Sequence, residues 1–152
     1  MAEVDILKLI TEIEHGLSSI ANKEFKTIGL TKGKFQYVNR IAENPGITQA
    51  ELTELLKVDK TTASRAMQKL LDEQLIVGKF TENNKRQKQF NLTKKGEQAA
   101  NFIARENEYS TQQVLSGLSK TERAQLQKLL TKVAKNTDSE WGKVKKGFKR
   151  KY

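Results

Sequence analysis

Residues 48–73 read TQAELTELLKVDKTTASRAMQKLLDE. Thr48 and Glu51 stand at the N-cap and N3 spacing of a capping box, which announces a helix start, and Leu52, Leu55 and Leu56 give that short helix an inward face. It ends near Lys57. After the break Lys57-Val58-Asp59, Ala63, Ala66, Met67, Leu70 and Leu71 fall at i, i+3, i+4, i+7 and i+8, the apolar stripe of a second helix running to about Glu73. Its opposite face is uncharged or basic, with Lys60, Thr61, Thr62, Ser64, Arg65, Gln68 and Lys69 and no Asp or Glu from residue 60 to 71.

Downstream, Leu75-Ile76-Val77-Gly78-Lys79-Phe80 is short and β-branched, and Gln89-Phe90-Asn91-Leu92 alternates with period two. The polar stretch 81–88 between them predicts a β-hairpin with an exposed tip carrying Asn83, Asn84, Lys85 and Arg86. Upstream, Ile6, Leu9, Ile10, Ile13, Leu17, Ile20 and Phe25 predict one amphipathic helix of about twenty residues. A second, with Thr31 as N-cap and Phe35, Val38, Ile41 and Ala42 on one face, stops at Asn44-Pro45-Gly46. Thr93 caps a long helix broken near Ser116-Gly117. Ser119 and Glu122 form a further capping box, opening a helix with Leu126, Leu130, Val133, Thr137, Trp141, Val144 and Phe148 close to a heptad seam. The last ten residues hold six basic side chains and are expected to fray.

Composition bounds the function. The chain has 152 residues and a net charge of +10. That length is one domain, large enough to bury roughly 70% of its unfolded surface. Zero Cys and a single His15 exclude disulfides, thiol chemistry and His- or Cys-based metal clusters, so no cofactor is expected. No apolar run is long enough for a membrane span, and the acidic start Met1-Ala2-Glu3-Val4-Asp5 lacks a signal-peptide pattern, so a soluble, cytoplasmic protein without membrane insertion is expected. No Ser/His/Asp grouping or phosphate loop points to an enzyme. Residues 1–30 carry a net −2, residues 31–100 a net +5 and residues 101–152 a net +7. The positive surface therefore attracts a polyanion from residue 31 onward.

The order short helix, tight turn, amphipathic helix, β-hairpin is a helix-turn-helix with a wing. The second helix of such a unit enters the DNA major groove, where Arg65 is suited to guanine, Gln68 to adenine, and Thr61, Thr62 and Ser64 to bases or phosphates. Lys60 and Lys69 suit phosphates. Thr48 and Gln49 open the first helix of the unit against the duplex. Lys85 and Arg86, flanked by Asn83 and Asn84, are suited to a narrow minor groove.

The span from about Leu30 to Gly96 resembles the multiple antibiotic resistance regulator (MarR) family of winged-helix transcription factors. The residues that carry the resemblance are Gly46-Ile47-Thr48-Gln49-Ala50-Glu51-Leu52, Val58-Asp59-Lys60-Thr61-Thr62-Ala63-Ser64-Arg65, Leu75-Ile76 and Asn91-Leu92-Thr93-Lys94-Lys95-Gly96. It implies a mainly α protein with a small β-hairpin wing (α+β) in a single domain of residues 1–152. Within it, 31–96 is the winged helix-turn-helix, and 1–28 and 97–150 are dimerisation helices. It further implies a homodimer on a pseudo-palindromic double-stranded operator, with Arg86 as the wing arginine. The family usually has Asp two residues before that arginine; here Asn84 takes its place, without the charge. The resemblance also implies a small anionic or aromatic effector where the dimerisation helices meet the winged part, with His15, Tyr37 and Arg40 as the nearest polar candidates.

Independently of the resemblance, the first and last helices carry apolar seams too long for a winged-helix module to cover, so they need each other or a second copy. The leading expectation is a ligand-responsive dimeric repressor. An activator or dual regulator fits the same DNA contacts. A different class, a basic protein using its C-terminal tail on RNA or a membrane surface, is separable by truncating residues 143–152.

Overall fold

The computed structural model describes residues 2–152, with side-chain surroundings from Asp5 onward. Met1 of the acidic N-terminal start lies outside the described residues. The chain forms six α-helices and three short strands among those residues: α1 (Ala2–Glu24), α2 (Lys34–Glu43), β1 (Ile47–Thr48), α3 (Gln49–Leu56), α4 (Lys60–Asp72), β2 (Ile76–Thr81), β3 (Asn84–Leu92), α5 (Lys94–Val114) and α6 (Lys120–Lys145). A single 3₁₀ turn, Phe25–Ile28, continues α1. The architecture is mainly helical with a small antiparallel sheet in the order β1-β3-β2.

Several local expectations are corrected. Thr31 does not cap α2; Gly33 occupies the N-cap with φ 77°, a left-handed conformation glycine adopts without penalty, and the helix begins two residues later than the sequence suggests. Ala42 is exposed, and Tyr37 joins Val38 and Ile41 on the buried face instead. Leu55 is exposed while Leu52 is fully buried, because an eight-residue helix with one neighbouring layer buries only a narrow stripe. The hairpin is longer and tighter than its polar composition implies, with β3 extending back to Asn84 and a bulge between Lys79 and Thr81. Strand β1 has only two residues, Ile47 opposite Phe90 and Thr48 opposite Gln89, too short to leave a periodic signal.

The chain divides into two compact units, residues 1–108 and 109–152. In the first, Phe25 is completely buried, with the rings of Phe35 and Phe102 at centroid distances of 4.8 and 6.1 Å. Val38, Ile41, Leu52, Met67, Leu70, Ile76 and Ile103 complete this core. It joins α1, α2 and the first half of α5 to the helix-turn-helix, so the polar face of α4 is fixed by apolar burial behind it.

The wing is anchored where β3 runs into α5. Thr93 donates its hydroxyl to the Gln74 carbonyl at 2.6 Å and its N–H to the Leu75 carbonyl at 3.0 Å. Gly96 lies so close that a Cβ there would stand 2.0 Å from the Leu75 oxygen. In the second unit, Ser119 and Glu122 form the expected reciprocal capping box at the start of α6, and Arg123 donates to the Leu115 carbonyl at 3.0 Å. No helix among the described residues is long and apolar enough to cross a membrane.

Candidate nucleic-acid interface

The geometry between α3 and α4 starts with two caps. The Thr48 hydroxyl accepts from the Glu51 N–H at 3.3 Å and donates to the Glu51 carboxylate at 3.1 Å. The Glu51 side chain thus meets the Thr48 hydroxyl in place of the backbone N–H of a full capping box. Thr48 is buried, so it contributes the start of α3, whereas Gln49 beside it is half-exposed. Helix α3 ends with Lys57 in the left-handed region, φ 52°, its N–H donating to the Glu54 carbonyl and the Val58 N–H to the Thr53 carbonyl. The chain then turns sharply enough for α4 to start three residues later.

Asp59 is the N-cap of α4. One carboxylate oxygen accepts from the Thr62 N–H and the other from the Thr62 hydroxyl, both at 2.7 Å. These bonds, the side-chain one first, hold the Asp59 carboxyl below its usual range. Ala63, Met67 and Leu70 anchor α4 in the core, and Lys60, Thr61, Thr62, Ser64, Arg65, Gln68 and Lys69 are exposed on its other side. The hydroxyl of Thr62 is occupied by Asp59, and the Gln68 amide donates to Asp72 at 2.9 Å. Arg65 and Lys69 have no ion pair among the described residues.

At the wing tip, the Asn84 side-chain oxygen accepts from the N–H groups of Arg86 at 3.2 Å and Gln87 at 3.0 Å, while the Asn84 N–H donates to the Thr81 hydroxyl at 3.1 Å. The neutral amide therefore braces the turn through backbone donors. Asn83, Lys85 and Arg86 are exposed around it. At the wing's flank the Lys88 ammonium lies 5.7 Å from the Phe80 ring centroid.

The three effector candidates have separate surroundings. His15 is exposed on α1 beside Glu14 at 3.7 Å, and Arg40 donates to Glu43 at 3.0 Å. Tyr37 is buried, and its hydroxyl, like the Asn22 side-chain oxygen, has no hydrogen-bond partner. Burial, and secondly the charge of Asp59, raise the Tyr37 pKa, which links this α2 residue electrostatically to the cap of α4. Among the described residues no cluster of three His, Cys, Asp or Glu side chains is arranged to hold a metal.

Sequence reasoning missed two supports of this surface, Asp59 and Asp72. An Asp immediately before an apolar-periodic segment is an N-cap signal, and Gln68 with Asp72 is an i, i+4 pair. Both were legible at those spacings.

Residues 28–87 match the MarR family model. The chain is 45% identical over 148 residues to the Uncharacterized HTH-type transcriptional regulator YybA of Bacillus subtilis (strain 168), covering 97% of this chain and 99% of that one. The chain belongs to the MarR family. A second relative, the HTH-type transcriptional regulator BilQ of Clostridium symbiosum (strain WAL-14163), is 31% identical, with 76% of the MarR-family chain described here and 81% of BilQ covered. Among solved structures, a putative MarR family transcriptional regulator from Listeria monocytogenes complexed with 26mer DNA superposes with a TM-score of 0.92 at 46% identity, covering 96% and 97% of the two chains. An uncharacterized SlyA-like transcription regulator from the same organism gives 0.90, also at 46% identity, covering 96% and 97%. The winged helix-turn-helix read from residues 48–92 is thus the MarR-family fold, and the named relatives are transcriptional regulators.

Proposed function

We propose that this MarR-family protein is a cytoplasmic, sequence-specific DNA-binding regulator that works as a homodimer on a pseudo-palindromic operator and represses transcription until a small effector binds. The observation that carries the reading is the exposed face of α4. From residue 60 to 71 it contains Lys60, Arg65 and Lys69 and no carboxylate, on a helix capped and buried from behind. Arg65 reads a base edge in the major groove, with Thr61 and Ser64 on bases or phosphates and Lys60 and Lys69 on phosphates. Thr62 and Gln68 act after exchanging their internal partners, Asp59 and Asp72, for DNA. Arg86, on the braced wing, enters the minor groove with Lys85 and the two asparagines beside it. The 46% identical relative solved with 26mer DNA supports this assignment.

The dimer reading rests on apolar surface. Ile6, Leu9, Ile13, Leu17 and Ile20 of α1 are each at least 40% exposed, as are Leu130 and Val144 of α6. Contiguous apolar seams of this kind mark protein interfaces. In the proposed division of labour, 31–96 binds DNA while 1–28 and 97–150 dimerise. A two-fold dimer presents two copies of α4, so its half-sites lie about 10 bp apart. An effector that changes the separation of the two α4 helices lowers DNA affinity by favouring the other arrangement. Tyr37, buried with an unpartnered hydroxyl, and the exposed His15 and Arg40 are the polar candidates for an anionic or aromatic ligand.

The test is selection of bound sequences from a random duplex pool with purified protein. Enrichment of a two-fold symmetric motif is the expected result. Retention without any enriched motif contradicts sequence-specific binding.

A further inference from the structure

The last turn of α4 is closed by backbone bonds from the Glu73 N–H to the Lys69 carbonyl, from Gln74 to Leu71 and from Leu75 to Leu70. Gln74 takes the left-handed position of this motif, φ 60°, a place usually given to glycine. Bonds from outside the helix brace it. The Gln74 carbonyl accepts from the Thr93 hydroxyl at 2.6 Å, and the Glu73 carbonyl accepts from the Lys95 ammonium at 2.9 Å. From the first residue of α2, the Lys34 ammonium lies 3.7 Å from the Glu73 carboxylate. Two ammonium groups, one from α2 and one from α5, thus meet at the negative end of the α4 dipole.

The Lys34 side chain is only 14% exposed, against 42% for Glu73. Withdrawing an ammonium that far from water costs about as much as one partly solvated carboxylate returns, so an apolar side chain of similar length fills the space with no loss of stability. What an apolar side chain does not supply is direction. Ala63, Met67 and Leu70 hold α4 to the core through contacts that depend on area rather than orientation. Directional bonds to α2 and to the start of α5 are made at residues 73 and 74. Arg65 stands eight residues, about 12 Å, before them. A tilt of α4 by about 10° about that end therefore moves Arg65 by about 2 Å, enough to break a hydrogen bond to a base.

We propose that Lys34 and Glu73 are positioning residues for DNA recognition. The pair sets the tilt of α4 against α2, and with it the aim of Arg65, while neither side chain touches DNA. This inference rests on the reading of α4 as the base-reading helix. Lys95 bonds a backbone carbonyl, which substitutions of the Glu73 side chain leave in place, so the pair can be varied while that brace remains.

The test compares Lys34→Met, Glu73→Gln, the double variant and the conservative Lys34→Arg in the full chain. Each is measured for its urea midpoint and for its affinity for the selected duplex and for a random-sequence duplex at one salt concentration. The two neutralising changes alter the net charge in opposite senses, so a purely electrostatic effect would weaken DNA binding in one and strengthen it in the other. Positioning predicts that the ratio of selected to random affinity falls in both, by at least about fivefold, the low end for losing one good base contact. The urea midpoints should stay at or above that of the wild type. The double variant should lose no more than the worse single one, because the two side chains act as a unit, and Lys34→Arg should keep the wild-type ratio. An unchanged ratio in either neutralising variant, opposite shifts in the two, or losses matched by lowered urea midpoints overturns the proposal. Arg65→Ala, run alongside, separates the two levels: if it too leaves the ratio unchanged, the base-reading role of α4 fails together with the proposal, whereas a loss confined to Arg65→Ala overturns the proposal alone.

Discussion

Asp59 grips Thr62 twice, at 2.7 Å through the backbone N–H and at 2.7 Å through the hydroxyl. This pair fixes the first turn of α4, the helix that carries Arg65. Asp59→Ala should lower the urea midpoint and weaken DNA binding, whereas Asp59→Asn, a comparable cap, should retain most of both. The sign of the pH dependence follows from the lowered carboxyl pKa. The ionised cap is favoured in the folded state, so its contribution is present above the unfolded carboxylate pKa and is lost as pH falls through the lower folded value. Urea midpoints measured from pH 6 downward should fall more steeply for the wild type than for Asp59→Asn.

Arg65→Ala should cost about 1 to 3 kcal/mol on the selected operator and relax preference at one base position, while Arg86→Ala should weaken binding more evenly across sequences. Fluorescence anisotropy on the selected duplex and on single-base variants separates the two. An unchanged profile for Arg65→Ala removes α4 from the base-reading role.

The wing depends on Asn84. Asn84→Ala removes the acceptor for two backbone N–H groups and should loosen the tip, with a loss of about 0.5 to 1.5 kcal/mol in DNA binding and faster amide exchange at Arg86 and Gln87. Asn84→Asp should slow that exchange relative to the wild type, because a charged acceptor holds the same donors more strongly.

Gly96→Ala tests the junction of wing and α5. In an open helix the change gains up to about 1 kcal/mol, but here the added Cβ would stand 2.0 Å from the Leu75 carbonyl oxygen, a backbone atom with little room to move. The variant should be destabilised by about 2 to 4 kcal/mol in urea unfolding. A neutral or stabilised Gly96→Ala contradicts the close approach.

The dimer reading makes Ile13 of α1 and Val133 of α6 interface residues. Ile13→Glu and Val133→Glu should each shift the sedimentation equilibrium toward monomer and reduce operator affinity at least about tenfold, since an unpaired carboxylate in an apolar seam opposes association. A wild-type protein that sediments as a monomer at micromolar concentration contradicts it.

The helices and the order of the winged unit were legible because apolar spacing and capping residues are local signals. Ala63, Met67 and Leu70 are buried at their helical spacing, and Ser119 with Glu122 forms its box. What escaped was set by tertiary context. Ile47 and Thr48 become a strand because Phe90 and Gln89 lie opposite them, a pairing no local pattern encodes. Thr31 looks like a cap until Gly33 takes the left-handed position. The exposed α4 side chains followed from periodicity, and the contacts of Thr62 with Asp59 and of Gln68 with Asp72 stand at cap and i, i+4 spacings that the local sequence already offers. The free edge of β2 follows from strand order, which the hairpin sequence alone leaves open.

Hydroxyl-radical and methylation footprinting of the wild-type protein on its selected duplex tests the central claim most directly. Two protected major-groove sites are expected, related by a two-fold axis and about 10 bp apart, each flanked by minor-groove protection that disappears with Arg86→Ala. A single unpaired patch, or protection spread evenly along the duplex, would contradict a dimer reading its operator through two copies of α4.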